Sequence, residues 1–223
     1  MLNKKIVLLI IYITLFSGIK AQDQTAIAQN KFQLALVPQY LINNGMRIDF
    51  EYIFKNPKHV LLISPQFYYD KNDINYDQYQ ANYYEDEYEQ LNGYGAGLHH
   101  KIAVSTVKTW TFYFTYGVEY AHFTINNKRW EWVSTTEEGM EYLKYELIDI
   151  EQNTDRFRFD LYMSIQYNYA KNMFLDFYMG MGAVYSLNKM NPGFVKSLFQ
   201  DKMYGYAFNG MYLPIGFRFG FRF

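Results

Sequence analysis

From Lys31 onward, apolar and polar residues alternate in long runs, the two-residue period of strands with one apolar and one polar face. The run 45–55 sets Met46, Ile48, Phe50, Tyr52 and Phe54 on one face and Arg47, Asp49 and Glu51 on the other. The run 154–170 repeats this, with Phe157, Phe159, Leu161, Met163 and Ile165 against Arg156, Arg158, Asp160, Ser164 and Gln166. In 109–122, Trp110, Phe112, Phe114, Tyr116 and Val118 oppose Thr111, Thr115 and Glu119. The pattern predicts eight strands, near 31–42, 45–55, 59–70, 91–104, 109–122, 154–170, 173–187 and 207–223. Most reach the roughly 9–11 residues that cross a bilayer at a tilt.

The predicted connections are lopsided. Asn56-Pro57-Lys58, 105–108 and Lys171-Asn172 are tight turns, whereas 71–90, 123–153 and 188–206 are too long for ordinary hairpins. Only Asn43-Asn44 is short on the long-loop side. Glycine gives an independent check on register. Gly93, Gly95, Gly97, Gly117, Gly180, Gly182, Gly210, Gly216 and Gly220 all fall on the polar parity, where a narrow interior would be short of space.

Composition narrows the class further. Aromatic residues make up 21% of the chain and charged residues 19%, yet mean hydropathy is −0.28. That balance does not fit a helical membrane protein but suits strands set between lipid and a polar interior. The longest apolar run is amino-terminal: Lys4 and Lys5, then Ile6 to Phe16, then Ser17-Gly18-Ile19-Lys20-Ala21. It predicts a secretory signal over 1–21, cleaved after Ala21, leaving 22–223 as one domain. Without Lys4, Lys5 and Lys20 the 21 basic residues fall to 18 against 22 acidic, a charge of −4. No nucleic-acid partner is expected on that balance. The chain has no cysteine, so disulfides, thiol catalysis and lipid attachment at cysteine are excluded.

The final strand carries the most specific signal. Gly216-Phe217-Arg218-Phe219-Gly220-Phe221-Arg222-Phe223 puts Phe217, Phe219, Phe221 and Phe223 on one face and ends on an aromatic residue. With the signal segment, eight alternating strands and unequal connections, this resembles the small bacterial outer-membrane β-barrels of the OmpX and OmpA-transmembrane-domain type, porin-like in their barrel domain. The resemblance implies an all-β fold, a closed eight-stranded antiparallel transmembrane barrel, with Phe217, Phe219, Phe221 and Phe223 as the assembly signal. It implies an outer-membrane location with both termini periplasmic, lipid as the surroundings and the barrel-assembly machinery as a transient partner. It leaves function open, because a fold of this kind hosts many functions.

The inward parity collects Arg47, Lys101, Arg156, Arg158, Arg218 and Arg222 against Asp49, Glu51, Glu119, Asp160 and Asp176. Six cations facing five anions in a narrow tube predict a paired network, since unpaired buried charge costs several kcal/mol. Such a network plugs the barrel. The reading is therefore a structural or interaction protein that presents loops to an envelope partner, with a narrow gated channel or transporter as the alternative.

Interaction candidates lie in the long connections. Residues 70–90 interleave seven carboxylates with tyrosines, including Tyr76, Tyr79, Tyr83 and Tyr84. Asp73-x-Asn75-x-Asp77 starts like a calcium loop, but Gln78 and Tyr84 stand where Gly and Glu are required, so at most a weak divalent cation is expected. No other cofactor is indicated. Residues 123–153 carry Trp130 and Trp132 around a turn at Thr135-Thr136-Glu137-Glu138-Gly139 and predict a projecting hairpin, whose free edge could add a strand from a partner. The lysines of 188–206 suggest packing against the acidic neighbours. His122-x-Thr124 resembles the His-x-Ser pair of barrel-embedded lipid A deacylases, with Thr in place of Ser and no acidic residue evident to orient His122. No enzyme is expected.

Overall fold

The computed structural model describes residues 31–72, 88–137, 139–191 and 198–223. Its strands are β1 (Phe32–Leu36), β2 (Gly45–Ile53), β3 (His59–Lys71), β4 (Gln90–Val107), β5 (Trp110–Glu137), β6 (Met140–Ala170), β7 (Met173–Asn191), β8 (Gly210–Tyr212) and β9 (Ile215–Arg222). All pair antiparallel. Each strand from β1 to β7 bonds to the next, β7 bonds to β8 and β9, and β9 returns to β1, so eight ribbons close into a ring. The proposed signal 1–21, Tyr76, Tyr79, Tyr83 and Tyr84 lie outside the described residues.

The period-two pattern sets which side faces in. Met46, Phe50, Phe67, Leu98, Val118, Phe159, Met163, Phe177 and Met181 point outward and are exposed. Among the described residues, 23 buried positions are polar or charged and 21 apolar, an interior inverted relative to an ordinary core. Glycines make room for its largest groups. A methyl added at Gly97 would lie 2.8 Å from Glu119 Cγ and 2.9 Å from His99 Cε1.

Two departures from the predicted strands fall side by side. The first strand ends at Leu36, not near 42, and residues Pro38–Asn43 turn into a 3₁₀ helix that ends on Asn44 at φ 53°. Pro38 has no N–H to extend the ladder, and the last bond to β2 is Val37 N–H to the Arg47 carbonyl at 3.2 Å. The last ribbon is broken at Leu213-Pro214, between β8 and β9. There the Pro214 carbonyl still accepts from Gly180 N–H (3.0 Å). The β1–β9 seam therefore has four residue pairs, Gln33↔Arg222 to Leu36↔Phe219. By contrast β5 and β6 pair along their whole lengths from Trp110↔Tyr167 to Glu137↔Met140.

Candidate functional site

The ring brings all eleven predicted interior charges inside, but pairs only some of them. Lys101 Nζ reaches Glu51 (2.8 Å) and Asp176 (3.1 Å). Arg218 reaches Glu51 (3.0 Å), Asp49 (3.2 Å) and Asp176. Arg47 Nε bonds Asp49 and its Nη1 bonds Glu119, each at 2.6 Å, while Arg158 pairs with the other Glu119 oxygen. Asp160 accepts from Tyr212 and lies 3.1 Å from His99 Nε2. Thus four cations form one connected web with the carboxylates, spanning β2, β4, β5, β6, β7 and β9.

Among the described residues, two of the six cations have no carboxylate partner. Arg222 reaches the Asn168 amide and lies near Gln33, both neutral. Arg156 has no carboxylate within ion-pair distance among the described residues; its Nη1 donates weakly to the Gly205 carbonyl (3.4 Å) and its Nε has no partner. Parity fixes that a side chain faces inward but not its height, and Arg156 and Arg222 lie beyond the carboxylate layer at opposite ends.

Apolar layers flank the charges. Toward the tight turns, Val60, Leu62, Tyr113 and Phe174 are buried, with Lys101 over the Tyr113 ring and Arg222 over the Phe174 ring. At the opposite mouth, Tyr68, Tyr88, Phe123, Phe199 and Tyr206 form an aromatic cluster joined by Leu91, Ile125 and Leu198. Burial and a hydrogen bond to Asp70 (2.8 Å) push the Tyr88 hydroxyl up to about 12. The connection 198–207 turns into the mouth. Burial of Leu198, Phe199, Tyr206 and Ala207 drives this. The Gln152 amide clamps it, accepting from Leu198 N–H (2.6 Å) and donating to the Leu198 carbonyl (3.1 Å).

Beyond the ring, β5 and β6 continue as a two-stranded hairpin. β4 pairs with β5 as far as Asn126, and β7 pairs with β6 as far as Glu151. Twelve residues from Asn126 to Glu137 project by ~40 Å at the usual rise. Trp130 stacks on Tyr145 at 5.5 Å between centroids and Trp132 lies 5.0 Å from the same ring. Trp132 is 62% and Leu143 63% exposed, so an apolar face is presented well away from the ring. Phe217 and Phe223 are exposed on the outer wall, with Phe219 and Phe221 half-buried beside them.

The structure brings together two clusters that the sequence analysis did not assemble. His122 Nδ1 lies 2.8 Å from Asp155, which also accepts from the Tyr120 hydroxyl (2.7 Å). An acidic partner for His122 therefore exists, supplied by the register His122↔Asp155; counting outward from the Glu137↔Met140 turn would have found it. The Thr124 hydroxyl, however, donates to Asn153 (2.9 Å) and not to the dyad. Inside, His99, Glu119 and Asp160 converge with the spacing of a metal triad. Arg47 and Arg158 already hold Glu119, and Tyr212 donates to Asp160. A divalent cation there would meet two guanidinium groups, and the donor set does not fit one.

Neither any family model nor any curated protein matches this chain. Among solved structures it is similar to a major outer membrane protein from Thermus thermophilus, with a TM-score of 0.45 and 12% identity over 86% of this chain and 97% of that one.

Proposed function

We propose that the protein is an integral outer-membrane barrel of the OmpX-like kind that is closed to diffusion and works by presenting its projecting hairpin to an envelope partner. The observation that carries this is the inverted cross-section. Arg218, Lys101, Asp49 and Asp176 are at most 1% exposed inside, while Phe67, Met163, Met179 and Ile215 are more than half exposed outside. An apolar belt around the whole ring far exceeds the few hundred Å² that soluble monomers expose, and the β1–β9 pairing closes the sheet below Leu36↔Phe219. Nine residues of β2 at a ~40° tilt rise ~23 Å, close to the height of an outer-membrane barrel's apolar band.

The connections support one orientation. The tight turns at 108–109 and 171–172 share one end of the ring with the start of β1 and the end of β9. That end is assigned to the periplasm and the hairpin to the exterior, as in barrels with short periplasmic turns. Trp130, Trp132 and Tyr145 supply aromatic anchors of the sort that dominate interfaces. Purified protein in planar bilayers should carry no steady current of porin size, and intact cells should expose the hairpin tip at Gly139 to externally added protease. Stable porin-sized currents would establish the channel alternative instead.

A further inference from the structure

The shortened β1 and the broken last ribbon leave the ring wall thin at one place. Above Leu36↔Phe219 no strand among the described residues bridges β2 to β8 and β9, and the 3₁₀ helix Pro38–Asn43 occupies that place. Behind this seam lies a cavity of about 350 Å³. Its mouth is apolar, with Ile42 81%, Leu213 49% and Ile215 59% exposed, at the level of the outward Met179. Tyr204 spans part of it, its hydroxyl donating to the Leu213 carbonyl (3.2 Å). Inside, the wall carries Arg47, Arg156, Arg158 and Arg218 against only Glu119 and Asp160.

Arg156 is the group this arrangement leaves unanswered. It is buried, with 7% of its surface exposed, and lies on the Phe123 ring at 4.5 Å. No carboxylate among the described residues pairs with it, and its Nε is without a partner. A buried guanidinium in this state favours an oxyanion, which it can grip through two N–H groups. The neighbouring arginines are already held by Glu119, Asp49 and Asp176, so they add field without competing for the ligand.

We propose that the seam is a lateral opening and that the cavity receives the phosphate or carboxylate headgroup of an amphiphile from the surrounding bilayer, with Arg156 as counter-ion. This rests on the membrane-embedded reading. The oxyanion enters past Ile42 and Leu213, and the tail stays among the lipids. An apolar mouth with an arginine behind it matches the two ends of such a molecule. A free inorganic ion arriving from the aqueous end would meet the aromatic cluster of Tyr68, Phe123 and Tyr206.

The probe is hexadecyl phosphate, added to the full chain in neutral maltoside micelles and read by native mass spectrometry. The expected result is one equivalent retained, hexadecanol not retained, and inorganic phosphate unable to displace the amphiphile. R156Q should lower affinity about tenfold or more, the loss of one charge-assisted pair, and R156K should fall between. Unchanged retention by R156Q, or equal retention of hexadecanol, overturns the proposal. Displacement by equimolar inorganic phosphate overturns the lateral route, since the occupant then comes from water. Heat-modifiable migration of each variant reports separately on the barrel itself. If R156Q fails to fold, I42W leaves the interior intact and narrows the mouth. Slower uptake with the same final retention supports the route, and unchanged uptake refutes it.

Discussion

Replacing Arg218 with methionine should weaken the barrel far more than the same change at Arg222, although both arginines alternate on one strand and are nearly equally buried. Arg218 contacts Asp49 (3.2 Å), Glu51 (3.0 Å) and Asp176. In the connected web, Arg47, Lys101, Arg158 and Arg218 face Asp49, Glu51, Glu119, Asp160 and Asp176, four against five. Methionine leaves three against five, with Asp176 dependent on Lys101 alone. Truncating one partner of a buried ion pair costs ~3–5 kcal/mol. Arg222 meets the amides of Asn168 and Gln33 and the Phe174 ring, with no carboxylate among the described residues, and orphaning neutral groups costs ~1–3 kcal/mol. With a urea slope of roughly 2 kcal/mol per molar, the Arg218 variant should lose about 2 M in midpoint and the Arg222 variant about 1 M. The assay is urea unfolding in phosphatidylcholine vesicles, followed by tryptophan emission and by heat-modifiable mobility. Adding Asp176→Asn to Arg218→Met should restore part of the loss, because it removes one stranded charge. Equal midpoints for the two single variants, or no recovery in the double, would refute the argument that ion pairing holds this layer.

Three further outcomes are expected. Replacing 127–150 with a tight turn should preserve the heat-modifiable barrel and abolish capture of the envelope partner from detergent-solubilised membranes; capture at parental levels would move the binding surface elsewhere. Gly97→Leu should block folding or cost ~1–3 kcal/mol or more by driving into Glu119 and His99, whereas Gly139→Ala, at φ 80° in open space, should cost ~1 kcal/mol and leave the barrel untouched, both read by urea midpoints. The raised Tyr88 hydroxyl keeps its proton in the folded state between the ordinary tyrosine value of 10.0 and about 12, where the unfolded chain loses it. Stability should therefore fall as pH rises through that window, and Tyr88→Phe should flatten the fall in alkaline melting curves.

The ring was legible in the sequence because a two-residue period leaves only two choices of face, and Arg47, Asp49 and Glu51 on one side of β2 decide between them. Height along the barrel axis was not legible. Arg156 and Arg158 share a face, yet Arg158 pairs with Glu119 and Arg156 with no carboxylate among the described residues. The early end of β1 was hidden because Leu34, Leu36, Pro38, Tyr40 and Ile42 keep alternating through the turn. There Pro38 outweighs the pattern. The aromatic mouth escaped notice for a different reason: Phe199 and Tyr206 come from a connection, where periodicity carries no information, and meet Tyr68 and Phe123 only through the closed ring. Asp155 needed nothing more than register, counted from a turn that the sequence marks with Glu138-Gly139.

The four residue pairs between β1 and β9 also bear on the order of assembly. Ladders between neighbours in sequence zip outward from tight turns, as β5 and β6 do from Glu137↔Met140. Gln33 and Arg222 come from opposite ends of the chain, so their seam has no turn to start from and the largest loop-closure entropy to overcome. It should be the last ladder to form and the first to open. Amide exchange should run fastest there, with Leu34, Ala35 and Phe221 losing protection while the paired amides of Phe114 and Met163 still hold theirs. A curved, half-open sheet with β1 and β9 as free edges is then the expected last intermediate before closure.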